Sequence, residues 1–199
     1  MDTVTGTGLP EWMRVQVDEA QRVRSAVRSQ ISNLAAISSR IASTYSHQGK
    51  VLLFGNGGSA ATAEHWATEL TGRFYLPDRP ALAAVALTAN AAQLTAIAND
   101  FGYEEVFARL VTAMAQDGDV AIGLSTSGRS ANVLRGLEAA KQRNAYVIGF
   151  TGQSSSSMEH WCDCLVTVPA TDTARIQEGH DLCGHLIFAG VERLLFGSG

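Results

Sequence analysis

A chain of 199 residues with 46% hydrophobic and 17% charged content and a mean hydropathy of +0.04 predicts one globular domain with a real core. Its net charge of −4 and pI near 5.7 argue against nucleic acid as the main partner, because phosphate-backbone binding wants a basic stripe. No apolar run approaches the roughly 18 residues of a membrane span.

The first ten residues, MDTVTGTGLP, carry neither a basic nor an apolar signal region and are expected to form a flexible tail. From 11 to 48 the apolar residues Met13, Val17, Ala20, Val23, Val27, Ile31, Leu34, Ile37, Ile41 and Tyr45 recur every three or four positions. That stripe predicts one amphipathic helix or a broken helical pair. It is long for its own small domain, so part of it is expected to pack on another subunit.

From Lys50 onward, strand-like and helical runs alternate. Strands are expected at 51–54, 82–87, 120–124, 146–150 and 165–168. Helices are expected at 59–74, at 93–98 with 104–115, at 130–143 and at 175–196. The strands are continuously apolar, which predicts a parallel sheet covered by helices on both faces. Ligands of such sheets sit at the carboxyl ends of the strands. The serine run at 154–157 reads as a surface loop. The three cysteines, Cys162, Cys164 and Cys183, contain no C-x-x-C pair. They read as packing residues in a reducing cytoplasm.

Two Gly/Ser loops fall where a strand gives way to a helix: FGNGGSA at 54–60 and STSGRSAN at 125–132. A glycine turn into a helix start directs backbone N–H groups and the positive helix end at one point, and serines add hydroxyl donors. Two such loops in one small domain read as a phosphate cradle with a sugar attached. The G-x-S-x-G, G-x-G-x-x-G and Walker patterns are all missing, which disfavours hydrolase, dinucleotide and NTP chemistry.

His65 and Glu69 lie four apart and share a helix face, as do Gln177 and His185, eight apart. Each pair could grip a metal ion, hold a substrate, or be a salt link or core histidine. Arg73 reads as either a phosphate contact or an exposed helix end, and Asp172 as either a contact to sugar hydroxyls or, more simply, the N-cap of the last helix. His180 is expected in a supporting position or at the surface, with His47 and His160 solvated.

GNGGSA, HWATELTGRF (65–74), LTAIANDFGY (94–103), STSGRS (125–130) and RIQEGH (175–180) followed by His185 together resemble the phosphoheptose isomerases. These are sedoheptulose 7-phosphate isomerases of the sugar isomerase (SIS) superfamily. The resemblance implies a three-layer αβα sandwich with a five-stranded parallel sheet, spanning 11–199. Its N-terminal helices, 11–48, would serve oligomerisation into a homotetramer with sites at subunit interfaces. Ser59, Ser125, Thr126, Ser127 and Ser130 would bind phosphate, and Asn56, Gly57, Gly58, Asn99 and Asp100 would line the sugar, with Glu69 and Gln177 also touching substrate. His65, Glu69, Gln177 and His185 would coordinate one zinc ion per subunit, with Glu69 and His185 as the proton-transfer pair.

The implied reaction converts sedoheptulose 7-phosphate to a D-glycero-D-heptose 7-phosphate, manno in configuration, through an enediol for heptose biosynthesis. The implied setting is cytoplasmic, with neither nucleic acid nor membrane as partner. A non-catalytic phosphosugar-binding regulator or a replication-initiator-binding scaffold of the same superfamily is the alternative. Glu69 and His185 favour the enzyme. Asn90, where many relatives carry an acidic residue, and the serines at 154–157 depart from the family pattern.

Overall fold

A computed structural model describes residues 8–153 and 157–197. Most of the segment expected as a tail, and most of the serine run at 154–157, lie outside the described residues. Helix α1 (Leu9–Ala26) begins inside the expected tail because Pro10 sits in its first turn, where a missing N–H costs no helix bond. A 3₁₀ turn over Val27–Gln30 separates it from α2 (Ile31–Ser46). The long apolar stripe is therefore a broken pair.

That corner also covers a sheet edge. Gln30 donates to Thr167 O at 2.6 Å and accepts from Thr167 N at 3.3 Å, and Asn33 donates to Leu165 O at 3.2 Å. These amides pair with the outer strand in place of another strand.

Strands β1 (Val51–Gly55), β2 (Ala84–Ala86), β3 (Val120–Leu124), β4 (Tyr146–Thr151) and β5 (Cys164–Thr167) form one parallel sheet in the order β2-β1-β3-β4-β5. Between them run α3 (Gly58–Thr71), α4 (Ala91–Phe101), α5 (Val106–Met114) and α6 (Ala131–Gln142), and α7 (Thr173–Phe196) closes the chain.

Alternation along the strands sorts the core. Val51, Leu53, Ile122 and Phe150 face α2, α3 and α7 through Ile37, Ile41, Trp66 and Phe188. Leu52, Phe54, Ala121 and Val147 face α5 and α6 through Phe107, Leu110, Val133 and Leu137. Both faces of the central strands β1, β3 and β4 are buried almost throughout, so these strands read as nearly solid apolar runs.

The stripe of α1 is only partly used. Val23 and Val27 are buried, whereas Trp12, Met13 and Val17 are each more than half exposed. Asn90 caps α4, its side chain accepting from Gln93 N at 3.1 Å, and Asp172 caps α7 from Arg175 N at 3.1 Å. All three cysteines are free thiols. No helix among the described residues is long and apolar enough to cross a membrane.

Candidate active site

Gly55 pairs with Leu124 as the last register match between β1 and β3, so the two Gly/Ser loops leave the sheet side by side. The first turn of α3 closes through Ser59 N to Asn56 O at 3.0 Å and Ala60 N to Gly57 O at 3.0 Å. Ser59 is buried against Gly55.

In the second loop, Ser125 Oγ lies 3.0 Å from Ser130 Oγ and 3.4 Å from Ser127 Oγ. Three hydroxyls thus converge at the mouth of α6. Such a cluster can turn its protons toward one anionic group while the helix end adds partial positive charge. Thr126 is anchored through its backbone, its carbonyl accepting from Gly152 N at 3.1 Å. A cavity of about 240 Å³ opens beside it, lined by Thr126, Ser127, Arg129, Gln153 and Thr171 among others.

Packing of α3 on α7 builds the second half of the site. Trp66 is fully buried and stacks edge-on against Phe150 and Phe188. Its indole lies on Gly184, where any side chain would collide with it. The neighbours of these two residues are His65 and His185, and close approach of the helices brings their Nε2 atoms to 3.0 Å. One ring must carry the proton and the other a lone pair, or both lone pairs face a shared cation.

Glu69, one turn along α3, places Oε1 3.6 Å from His65 Nε2. Its Oε2 is buried with no partner among the described residues. Ligand atoms of His65, Glu69 and His185 all fall within 4.8 Å of one another. Two imidazoles and a carboxylate with an unsatisfied oxygen suit zinc, so the residues fit the ion.

Gln177 is placed at the serine-loop end of the same seam. Its amide rests directly on Gly58, and a Cβ at that position would overlap it. The first turn of α3 therefore needs glycine there for Gln177 to lie where it does.

The other expected residues divide. Asn99 and Asp100 are exposed and bonded to each other at 2.8 Å. Arg73 is exposed, as are His47 and His160. His180 is buried, its Nε2 3.2 Å from Thr151 O, and burial pushes its pKa down to about 4 against the smaller opposing effect of that carbonyl. Its position is supporting, not surface.

Sequence reading missed two groups. Asn132 is buried and forms a reciprocal amide pair with Asn56, and Tyr103 Oη donates to Asn56 Oδ1 at 2.9 Å. Arg79 is buried beneath the cluster and donates to the carbonyls of Glu69 and Leu70 and to Glu192 of α7. Asn132 stood inside the quoted loop, but nothing local marks its partner. Arg79 and Glu192 lie far apart in the chain and carry no local signal at all.

Comparison with known proteins agrees with this geometry. A SIS-domain family profile matches residues 17–152. The chain is 45% identical over 184 residues to a phosphoheptose isomerase of Burkholderia pseudomallei, covering 91% of this chain and 93% of that protein. It is 53% identical over 155 residues to phosphoheptose isomerase 2 of Campylobacter jejuni, covering 78% and 77%. The solved structure of a phosphoheptose isomerase from Neisseria gonorrhoeae superposes with a TM-score of 0.86 at 37% identity, over 92% of this chain and 98% of that one. The chain belongs to the SIS-domain family and, within it, to the phosphoheptose isomerases. It is a sugar-phosphate isomerase.

Proposed function

We propose that the protein interconverts sedoheptulose 7-phosphate and D-glycero-D-manno-heptose 7-phosphate for heptose biosynthesis. The observation that carries this reading is the His65–Glu69–His185 cluster, set in a fold whose paired Gly/Ser loops leave adjacent strands. Similarity to named phosphoheptose isomerases over most of the chain supports the seven-carbon substrate.

In this reading Ser59, Ser125, Thr126, Ser127 and Ser130 hold the phosphate. Asn56, Gly57, Gly58, Asn99, Asp100 and Gln177 orient the sugar. Glu69 and His185 move protons. A base takes the C1 proton of the ketose while an acid protonates the C2 oxygen, giving the enediol; loss of the O1 proton and protonation at C2 then give the aldose. A carboxylate and an imidazole on facing helices can exchange these roles between the half-reactions.

His65, Glu69, Gln177 and His185 would hold one zinc ion per subunit. When bound, zinc supplies Lewis-acid polarisation of a substrate oxygen. A carboxylate on zinc loses basicity, so the free Glu69 oxygen is assigned the proton.

The exposed apolar face of α1, with Trp12, Met13 and Val17, supports assembly into a homotetramer. A cytoplasmic setting fits the three free thiols. Glu69→Gln and His185→Gln test the assignment, since each keeps size and polarity but removes proton transfer. Isomerisation is expected to fall roughly a hundredfold or more in folded protein, and near-normal turnover would remove that residue from the mechanism.

A further inference from the structure

The two Gly/Ser loops are joined by side chains. Asn56 Nδ2 donates to Asn132 Oδ1 at 2.9 Å, and Asn132 Nδ2 donates to Asn56 Oδ1 at 2.8 Å. An isolated amide pair of this kind would satisfy either orientation. Here the ambiguity is removed by the backbone: Val133 N donates to Asn132 Oδ1 at 2.9 Å. A backbone N–H cannot accept, so Asn132 must present its oxygen there and its nitrogen to Asn56. That in turn fixes which way Asn56 faces.

Tyr103 Oη completes the set by donating to Asn56 Oδ1 at 2.9 Å. Both lone pairs of that oxygen are then taken, by Asn132 and by Tyr103. Of the polar capacity on the Asn56 side chain, one N–H remains.

We infer that Asn132 and Tyr103 are positioning residues, which latch the first loop to the second and leave Asn56 able to present a ligand with a donor only. The inference rests on the phosphosugar reading above. A donor-only amide selects a ligand oxygen that accepts, such as a carbonyl or an ionised oxygen, and offers nothing to a hydroxyl proton. Tyr103 stands directly after Gly102, which ends the helix carrying Asn99 and Asp100, and so ties the end of α4 to the same point. Asn132 is 3% exposed, so its amide serves the latch and not solvent.

The test uses the full-length protein with Asn132→Asp and Tyr103→Phe. Asn132→Asp keeps the acceptor for Val133 N and Asn56 Nδ2 but cannot donate to Asn56 Oδ1. Tyr103→Phe keeps the ring and removes the hydroxyl. Each variant is expected to raise KM for sedoheptulose 7-phosphate about tenfold, the worth of one hydrogen bond, while kcat holds and the melting temperature of Tyr103→Phe stays at the wild-type value. Backbone hydrogen exchange in Asn132→Asp is expected to quicken at 57–59 and 127–130 together.

Unchanged KM in both variants overturns the positioning role, and exchange that quickens in the second loop alone overturns the latch. If wild-type protein does not turn over the sugar, the functional reading falls, and the exchange measurement still decides the latch.

Discussion

The indole of Trp66 fills the space where a side chain on Gly184 would stand. This contact sets the separation of α3 and α7, and the residues beside it in sequence are the two imidazoles that meet at 3.0 Å. Packing and chemistry are therefore one device: a buried aromatic ring on a glycine, with a histidine next to each. Gly184→Ala forces the helices apart. It is expected to cost about 1–3 kcal/mol by overpacking and to lower both metal content and turnover. Chemical denaturation and elemental analysis of the same preparation check it; a stable variant with full zinc would separate the contact from the site.

Glu192 is the second tie between these helices. Its carboxylate accepts from Phe74 N, Tyr75 N and Leu76 N at 3.0–3.2 Å and pairs with the buried Arg79 guanidinium. Burial works to raise its pKa, but hydrogen bonds from Arg79, Leu76 and Tyr75 and the guanidinium charge bring it below the ordinary carboxylate value. A lowered native pKa means that the pair's contribution is present above the unfolded carboxylate pKa and is lost as pH falls through the native one. Glu192→Gln strands a buried cation and is expected to cost about 3–5 kcal/mol, read by urea denaturation at neutral pH. A loss below 1 kcal/mol would place the pair in the class of exposed salt links.

His180 loses stability in the same direction, over a higher pH window. Its pKa is lowered from 6.5 to about 4 by burial, so below 6.5 the unfolded chain takes a proton that the native state refuses. Stability therefore declines as pH drops from 6.5 toward 4. With chelator present to remove metal linkage, the melting temperature is expected to slope downward through this window, and His180→Gln is expected to flatten the slope. Parallel slopes in the two proteins would contradict the assignment.

Zinc analysis separates a metal site from a substrate-holding cluster. Protein purified without chelator is expected to hold one zinc ion per subunit, and His65→Ala to lose it, because that imidazole is one of the close ligand atoms. Gln177 offers an amide oxygen, a poor ligand, so affinity is expected to be moderate and some preparations partly empty. Equal zinc in both proteins would place the ion elsewhere.

Local pattern made most of the fold legible. Continuous apolar runs marked all five strands, and α3 and α7, which bear His65, Glu69, Gln177 and His185, followed from periodicity and, for α3, from its Gly/Ser start. Boundaries shifted where a single residue decided them, as Pro10 did at the start of α1. The break between α1 and α2 stayed open because the stripe continues across it, and only the pairing of Gln30 with Thr167 shows what the corner does. Spacing put His65 with Glu69 and Gln177 with His185. The meeting of the two pairs depends on Trp66 and Gly184, which are far apart in the chain. Asn132, Tyr103, Arg79 and Glu192 were illegible for the same reason: each works through a partner that only the tertiary fold supplies.

The central claim is that Glu69 and His185 carry out a proton-transfer isomerisation of a seven-carbon sugar phosphate. Proton and carbon NMR of zinc-loaded protein with sedoheptulose 7-phosphate in deuterium oxide tests it most directly. The account predicts a new aldose heptose 7-phosphate bearing solvent deuterium at C2, formed by the wild type and not by Glu69→Gln. A sedoheptulose 7-phosphate spectrum left unchanged by folded, zinc-loaded wild-type protein would contradict it.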